Sequence, residues 1–157
     1  MDLRDLYQDI ILDHGQKPRN FRKIDPCSHT AKGHNPLCGD RITVYMQIAD
    51  GRIADVAFEG RGCAISTASS SLMTEVLKGK TLDEAHTLFK AFHAEVTGQD
   101  EAVAPVPDSL EDDFDRLAPL AGVKTYPTRV KCATLAWHAV EAALQSGGVV
   151  AEPVRTE

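Results

Sequence analysis

The sequence predicts an α+β fold, a small antiparallel three-stranded sheet backed by helices. Three observations carry that expectation. Residues 41 to 58 alternate apolar and polar side chains, the period of a half-buried strand, and the alternation breaks once at Asp50-Gly51. Four other stretches place apolar residues at helical spacing. The chain has 157 residues, of which 43% are hydrophobic, enough for a compact core that needs no metal or disulfide to form.

Taken in order, Leu3, Leu6, Ile10 and Ile11 share one face of a helix over residues 2 to 13, and the Gly15 to Asn20 segment with Pro18 ends it. Ser28 to Gly33 reads as a short strand. Ile42, Val44, Met46 and Ile48 share one face of the next, and Ile53 resumes the pattern after Asp50-Gly51, a two-residue connection that signals a type I′ hairpin. Ala64 to Lys78, rich in Ala, Ser, Leu and Met, is helical and is closed by Gly79. Thr81-Leu82-Asp83-Glu84 has the form of a capping box and opens a helix through Val96, which Thr97-Gly98 stops. Residues 98 to 119 hold three prolines and the acidic run from Glu111 to Asp115, and read as an exposed insertion with one short helix. A last helix from Thr128 to Gln145 carries Val130, Trp137, Val140 and Leu144, and Gly147-Gly148 ends it. The domain is therefore expected over residues 1–148, with residues 149–157 a flexible tail.

A net charge of −6 and a pI near 5.5 argue against a nucleic-acid surface, because phosphate binding needs clustered Lys and Arg. The amino terminus is polar, and no apolar run reaches the length of a signal peptide core or a membrane span, so a cytoplasmic location without membrane partners is expected. In a reducing compartment four cysteines point to metal binding or catalysis rather than to disulfides.

Three of the cysteines stand in tight glycine or basic settings: Pro36-Leu37-Cys38-Gly39-Asp40, Gly60-Arg61-Gly62-Cys63-Ala64 and Arg129-Val130-Lys131-Cys132-Ala133. Cys38 lies in a loop, Cys63 at a strand-to-helix junction and Cys132 in the first turn or so of the last helix. The helix-terminal pair is expected to ionise more readily than a free thiol. Gly39 and Gly62 allow unusual backbone angles that aim neighbouring side chains at one centre. Three thiols with the Asp40 carboxylate can close a tetrahedral site, since Zn²⁺ accepts sulfur and oxygen alike and a harder fourth ligand makes the site easier to open. On spacing alone, buried thiols serving as small apolar fillers remain an equal reading.

The other candidates have bland explanations. Cys27, after Pro26, is a bystander thiol; His14 is a helix-terminal cation; and His34 is a solvated loop histidine or a group behind Cys38. His86, His93 and His138 have structural or surface roles. Lys131 is solvated, or pairs with Asp40 when no metal is bound. The acidic run at 111 to 115 is a solvated face or a docking surface.

The stretches Asn35-Pro36-Leu37-Cys38-Gly39-Asp40, Phe58 to Glu75 and Lys131-Cys132-Ala133-Thr134-Leu135 closely resemble the IscU-like family of iron–sulfur cluster assembly proteins. The resemblance spans residues 2 to about 145 and implies the fold of that family and of the NifU N-terminal domain. Two departures from the classical scaffold, Lys131 where a histidine ligand stands and the 98–119 insertion, make the chain similar to the SufU branch. The chaperone-recognition segment is also missing, with Leu120 to Lys124 its nearest echo. The resemblance implies Zn²⁺ held by Cys38, Asp40, Cys63 and Cys132. It also implies a SufS-type cysteine desulfurase as sulfur donor, downstream iron–sulfur assembly proteins as acceptors, and a role for Arg129 in docking or in the cysteine environment. Cys38, on its loop, is the expected sulfur acceptor of a zinc-dependent sulfurtransferase. Two alternatives stand beside this reading: a scaffold carrying a [2Fe-2S] cluster or iron on the same ligands, and an interaction module with a purely structural zinc.

Overall fold

A computed structural model of the chain describes residues 2–98, 106–150 and 152–155. Helix α1 (Leu3–Gln16) leads into β1 (His29–Asn35), β2 (Asp40–Ala49) and β3 (Arg52–Arg61), followed by α2 (Ala64–Leu77), α3 (Leu82–Thr97), a short α4 (Glu111–Asp115), α5 (Pro127–Ser146) and β4 (Val154–Arg155). The strands form one sheet in the order β3-β2-β1-β4, and the three long strands are antiparallel neighbours. Asp50 and Gly51 both take positive φ, 54° and 74°, as a type I′ turn between β2 and β3 requires.

Alternation along β2 sends Ile42, Val44 and Met46 into the core at 2% exposure or less. The same parity carries Asp40 inward at the end of the strand. On β1 the inward set is Ala31, Gly33 and Asn35, and Asn35 pairs directly with Asp40 across the sheet. Helices α2 and α5 cover the inner face. They are tied to each other by Ser69, whose hydroxyl donates to the Ala133 carbonyl at 2.5 Å and accepts from the Trp137 indole at 3.3 Å. Trp137 in turn stacks on Phe92 of α3, with centroids 4.8 Å apart. The serine and alanine content of α2 permits this close approach, because small side chains let two helix backbones meet. The capping box at Thr81 and Glu84 forms in full, with Thr81 Oγ1 accepting from Glu84 N at 3.1 Å and Glu84 Oε1 accepting from Thr81 N at 2.9 Å.

Four features differ from the sequence reading. Leu3 and Leu6 of α1 are 61% and 44% exposed, because the helix docks through its C-terminal end, where His14 and Gly15 meet α2. His14 is no solvated cation: it is buried, its Nδ1 lies 2.8 Å from Ser71 Oγ, and burial lowers its pKa, with Arg19 acting in the same direction. The 98–119 region is not simply an exposed insertion, since Leu110 and Leu117 are each 2% exposed and anchor its second half in the core. Its residues 99–105 lie outside the described residues. Finally, the described part of the 149–157 tail pairs with β1: Val150 N donates to the Thr30 carbonyl at 3.0 Å, and Val154 and Arg155 lie parallel to Gly33 and His34. The free edge of β1 offers the backbone partners that make this pairing favourable.

Candidate functional site

The β1–β2 connection, the end of β3 with the start of α2, and the second turn of α5 converge at one end of the sheet. The turn from Asn35 to Asp40 is closed by Gly39 N donating to the Asn35 carbonyl at 2.8 Å, and Gly39 adopts a φ of 71°, a conformation that costs any residue with a Cβ. Cys38 is carried on that turn and is exposed, whereas Asp40 is 1% exposed. Asp40 Oδ1 accepts from Cys63 N at 3.0 Å, and Asp40 Oδ2, equally buried, has no hydrogen-bond partner.

Cys132 Sγ lies 3.5 Å from Cys38 Sγ and 3.7 Å from the Thr128 carbonyl. One ligand atom each from Cys38, Asp40 and Cys132 falls within 4.8 Å of the others. Three of the four expected ligands are thus assembled. Cys63 stands outside that trio, as N-cap of α2, its Sγ accepting from Ser66 N at 3.4 Å. It still adjoins Cys132, and the charged guanidinium of exposed Arg129 is favoured by negative charge on Cys63 first and on Cys132 second. Lys131 makes no ion pair with Asp40. Cys27 is not in that group: it precedes Ser28, which bonds Met46 and Ile48 at the other end of β2 from Asp40.

The expectation that Cys132 ionises readily is overturned. It is the sixth residue of α5, beyond the turn in which the helix dipole acts, and it is 1% exposed. Burial pushes its thiol well up, and the adjoining Cys38, Cys63 and Asp40 act in the same direction. Gly62 also serves differently from expectation. Its backbone is not in the positive-φ region; instead a Cβ there would stand 3.0 Å from Ser66 Oγ and 3.1 Å from Asp40 Oδ1, so any side chain would crowd both.

Two residues of the site were not singled out in the sequence. Asn35, fully buried, accepts from Leu37 N at 3.2 Å and directs its amide at Cys132 Sγ at 3.8 Å, bracing the turn against α5. Its inward parity with Ala31 and Gly33 is the signal that finds it. Ser66, also buried, gives no sign in the sequence beyond its place three residues after Cys63.

The donor chemistry fits Zn²⁺. Soft thiolates and a carboxylate are the ligands that ion takes, and a buried carboxylate oxygen without a hydrogen-bond partner is one that a cation would satisfy. A cation held there would supply the charge that compensates ionisation of the buried Cys132 thiol.

The model of the NifU-like N terminal domain matches residues 6–146. The zinc-dependent sulfurtransferase SufU of Bacillus subtilis is 38% identical over 149 residues, covering 94% of this chain and 96% of that protein. The iron-sulfur cluster assembly scaffold protein IscU of Streptococcus pyogenes is 36% identical over 143 residues, covering 91% and 85%. Among solved structures, a protein described as a candidate iron-sulfur cluster assembly scaffold for the SUF system, from Fervidobacterium islandicum, superposes with a TM-score of 0.78 at 34% identity, over 91% of this chain and 99% of that one. The N-terminal part of a NifU-like protein from Brucella abortus gives 0.77 at 26% identity, over 91% and 94%.

Proposed function

The chain belongs to the family of the NifU-like N-terminal domain, among the IscU/SufU iron–sulfur cluster assembly proteins, and on that premise we propose that it is a zinc-dependent sulfurtransferase that accepts persulfide sulfur from a SufS-type cysteine desulfurase. One observation carries the reading: an exposed Cys38 thiol stands over the buried pair Cys132 and Asp40, one oxygen of which has no partner. Cys38, Asp40, Cys63 and Cys132 would hold the ion, with Cys63 completing the trio from its place beside Cys132. Zinc bound there would keep the thiols ionised without redox chemistry of its own. Cys38, on an exposed turn, is the ligand free to meet a partner protein. Its thiolate attacks the outer sulfur of the desulfurase persulfide. A new S–S bond forms on Cys38, the donor S–S bond breaks, and the electron pair and a proton go to the donor cysteine, so no oxidant or reductant is consumed. The Arg129 guanidinium, beside Cys63 and Cys132, draws the anionic donor toward the turn. Downstream iron–sulfur assembly proteins would receive the sulfur.

The scaffold reading, with a [2Fe-2S] cluster as cargo on the same thiolates, is favoured by the IscU relatives. Against it stands Lys131, whose ammonium cannot coordinate. The test is metal analysis of anaerobically purified protein together with mass spectrometry after mixing with a desulfurase and cysteine. About one zinc per chain is expected from the four-ligand set, with a single added sulfur on Cys38. Cys38→Ser should abolish loading in a folded protein, and Cys27→Ser should leave it intact. Sulfur found first on Cys63, Cys132 or Cys27, with Cys38 unmodified, would sink the proposal; a diiron signal in the purified protein would favour the scaffold.

A further inference from the structure

Two buried side-chain polar atoms lack a hydrogen-bond partner among the described residues, and both are at this site: Asp40 Oδ2 and Ser66 Oγ. Folded proteins rarely leave such groups unpaired, and here one is an acceptor while the other carries a donor hydrogen. Ser66 belongs to the first turn of α2 and is 1% exposed. Its N–H is committed to Cys63 Sγ at 3.4 Å, which fixes the residue against the site. Its hydroxyl and the Asp40 carboxylate border the same gap beside Gly62: from an ideal Cβ at Gly62, Ser66 Oγ is 3.0 Å away and Asp40 Oδ1 3.1 Å, so the two oxygens are at most about 6 Å apart. Gly62 has no side chain to stand between them.

Resting on the zinc reading above, we propose that Ser66 is a positioning residue whose hydroxyl receives the Asp40 carboxylate when a competing ligand displaces it from the metal, and thereby sets how readily the site opens. While Asp40 is a ligand, the hydroxyl stays unused. Once Asp40 is displaced, its charge is stranded in a dry environment unless a donor meets it, and a hydrogen bond to a charged group is the stronger kind. The serine therefore stabilises the opened arrangement more than the closed one, and removing it should slow opening.

The test loads the full-length protein with zinc and follows transfer of the metal to a chromophoric chelator, with binding stoichiometry measured in parallel. Ser66→Ala lacks the hydroxyl that would receive the displaced carboxylate. Its zinc release should be roughly tenfold slower, the scale of a charge-assisted hydrogen bond. Ser66→Thr, which keeps the hydroxyl, should release zinc like the wild type. In an Asp40→Ala background the Ser66→Ala change should have no further effect, because the serine acts through that carboxylate. Release that is unchanged or faster in Ser66→Ala, or slowed equally with and without Asp40, overturns the inference. A wild-type protein that takes up no zinc overturns both this and the functional reading, whereas zinc uptake with kinetics indifferent to Ser66 overturns this one alone.

Discussion

Asp40→Ala is expected to leave the metal-free protein within about 1 kcal/mol of the wild type while removing most of the stabilisation that zinc confers. In the metal-free protein the substitution deletes the hydrogen bond that Oδ1 accepts from Cys63 N at 3.0 Å, a loss of about 1.5–3 kcal/mol for an ionised acceptor. It also deletes Oδ2, a buried oxygen with no partner, whose desolvation costs a comparable ~1–3 kcal/mol. The two nearly offset. With free zinc buffered at about one hundred times the wild-type Kd, binding stabilises the native state by about 2.7 kcal/mol, and a hundredfold weaker variant would gain only about 0.4 kcal/mol. Urea unfolding under a reductant, once with chelator and once with buffered zinc, measures both terms. A metal-free variant destabilised by more than ~3 kcal/mol would show that Oδ2 is not idle. Equal stabilisation of both proteins by zinc would show that Asp40 is not a ligand.

Stability should also depend on pH through one buried and one half-buried histidine. His14, facing Ser71, Arg19, Glu75, Asp13 and Arg116, is held below its ordinary value chiefly by burial, and His138 chiefly by burial with His93 adding to it. The unfolded chain therefore takes up protons first, so stability present above about pH 6.5 is lost as pH falls below it toward the folded-state values. His14→Asn should flatten that slope in denaturant midpoints measured from pH 7.5 to 5; an unchanged slope would remove His14 from the account. Leu110→Ala should cost about 2–5 kcal/mol in urea unfolding, the range for a truncated core leucine. A loss under 1 kcal/mol would mean that this segment is peripheral to the core.

What was legible in the sequence was mainly what short-range rules govern. Asp50-Gly51 betrays the hairpin because only certain residues take two successive positive φ values, and Thr81 with Glu84 betrays a helix start because the capping bonds span three residues. The strand parity that buries Ile42, Val44 and Met46 also buries Asp40, so the inward carboxylate was readable from alternation alone. Long-range contacts were less legible. His14 looked like a helix-end cation, and the Ser71 that removes it from solvent lies 57 residues away. Cys132 was placed near a helix start, where the dipole favours a thiolate, but burial decides its ionisation instead. Gly62 was read for backbone freedom, whereas the demand on it comes from Ser66 and Asp40, which only tertiary packing brings beside it.

The direction of β4 has a practical bearing on how the protein is prepared. It runs parallel to β1, with Arg155 opposite His34, so the last described residue lies beside the strand that leads into the turn bearing Cys38. A polyhistidine handle attached on this side of the sheet has the reach to bring imidazoles to the thiols, where they compete for the very ion being counted. At the other terminus, Leu3 is about 18 Å along α1 from Gly15, the point at which that helix touches the start of α2. Purification tags belong there, and metal stoichiometry measured on carboxy-terminally tagged material should be repeated after the tag is cleaved.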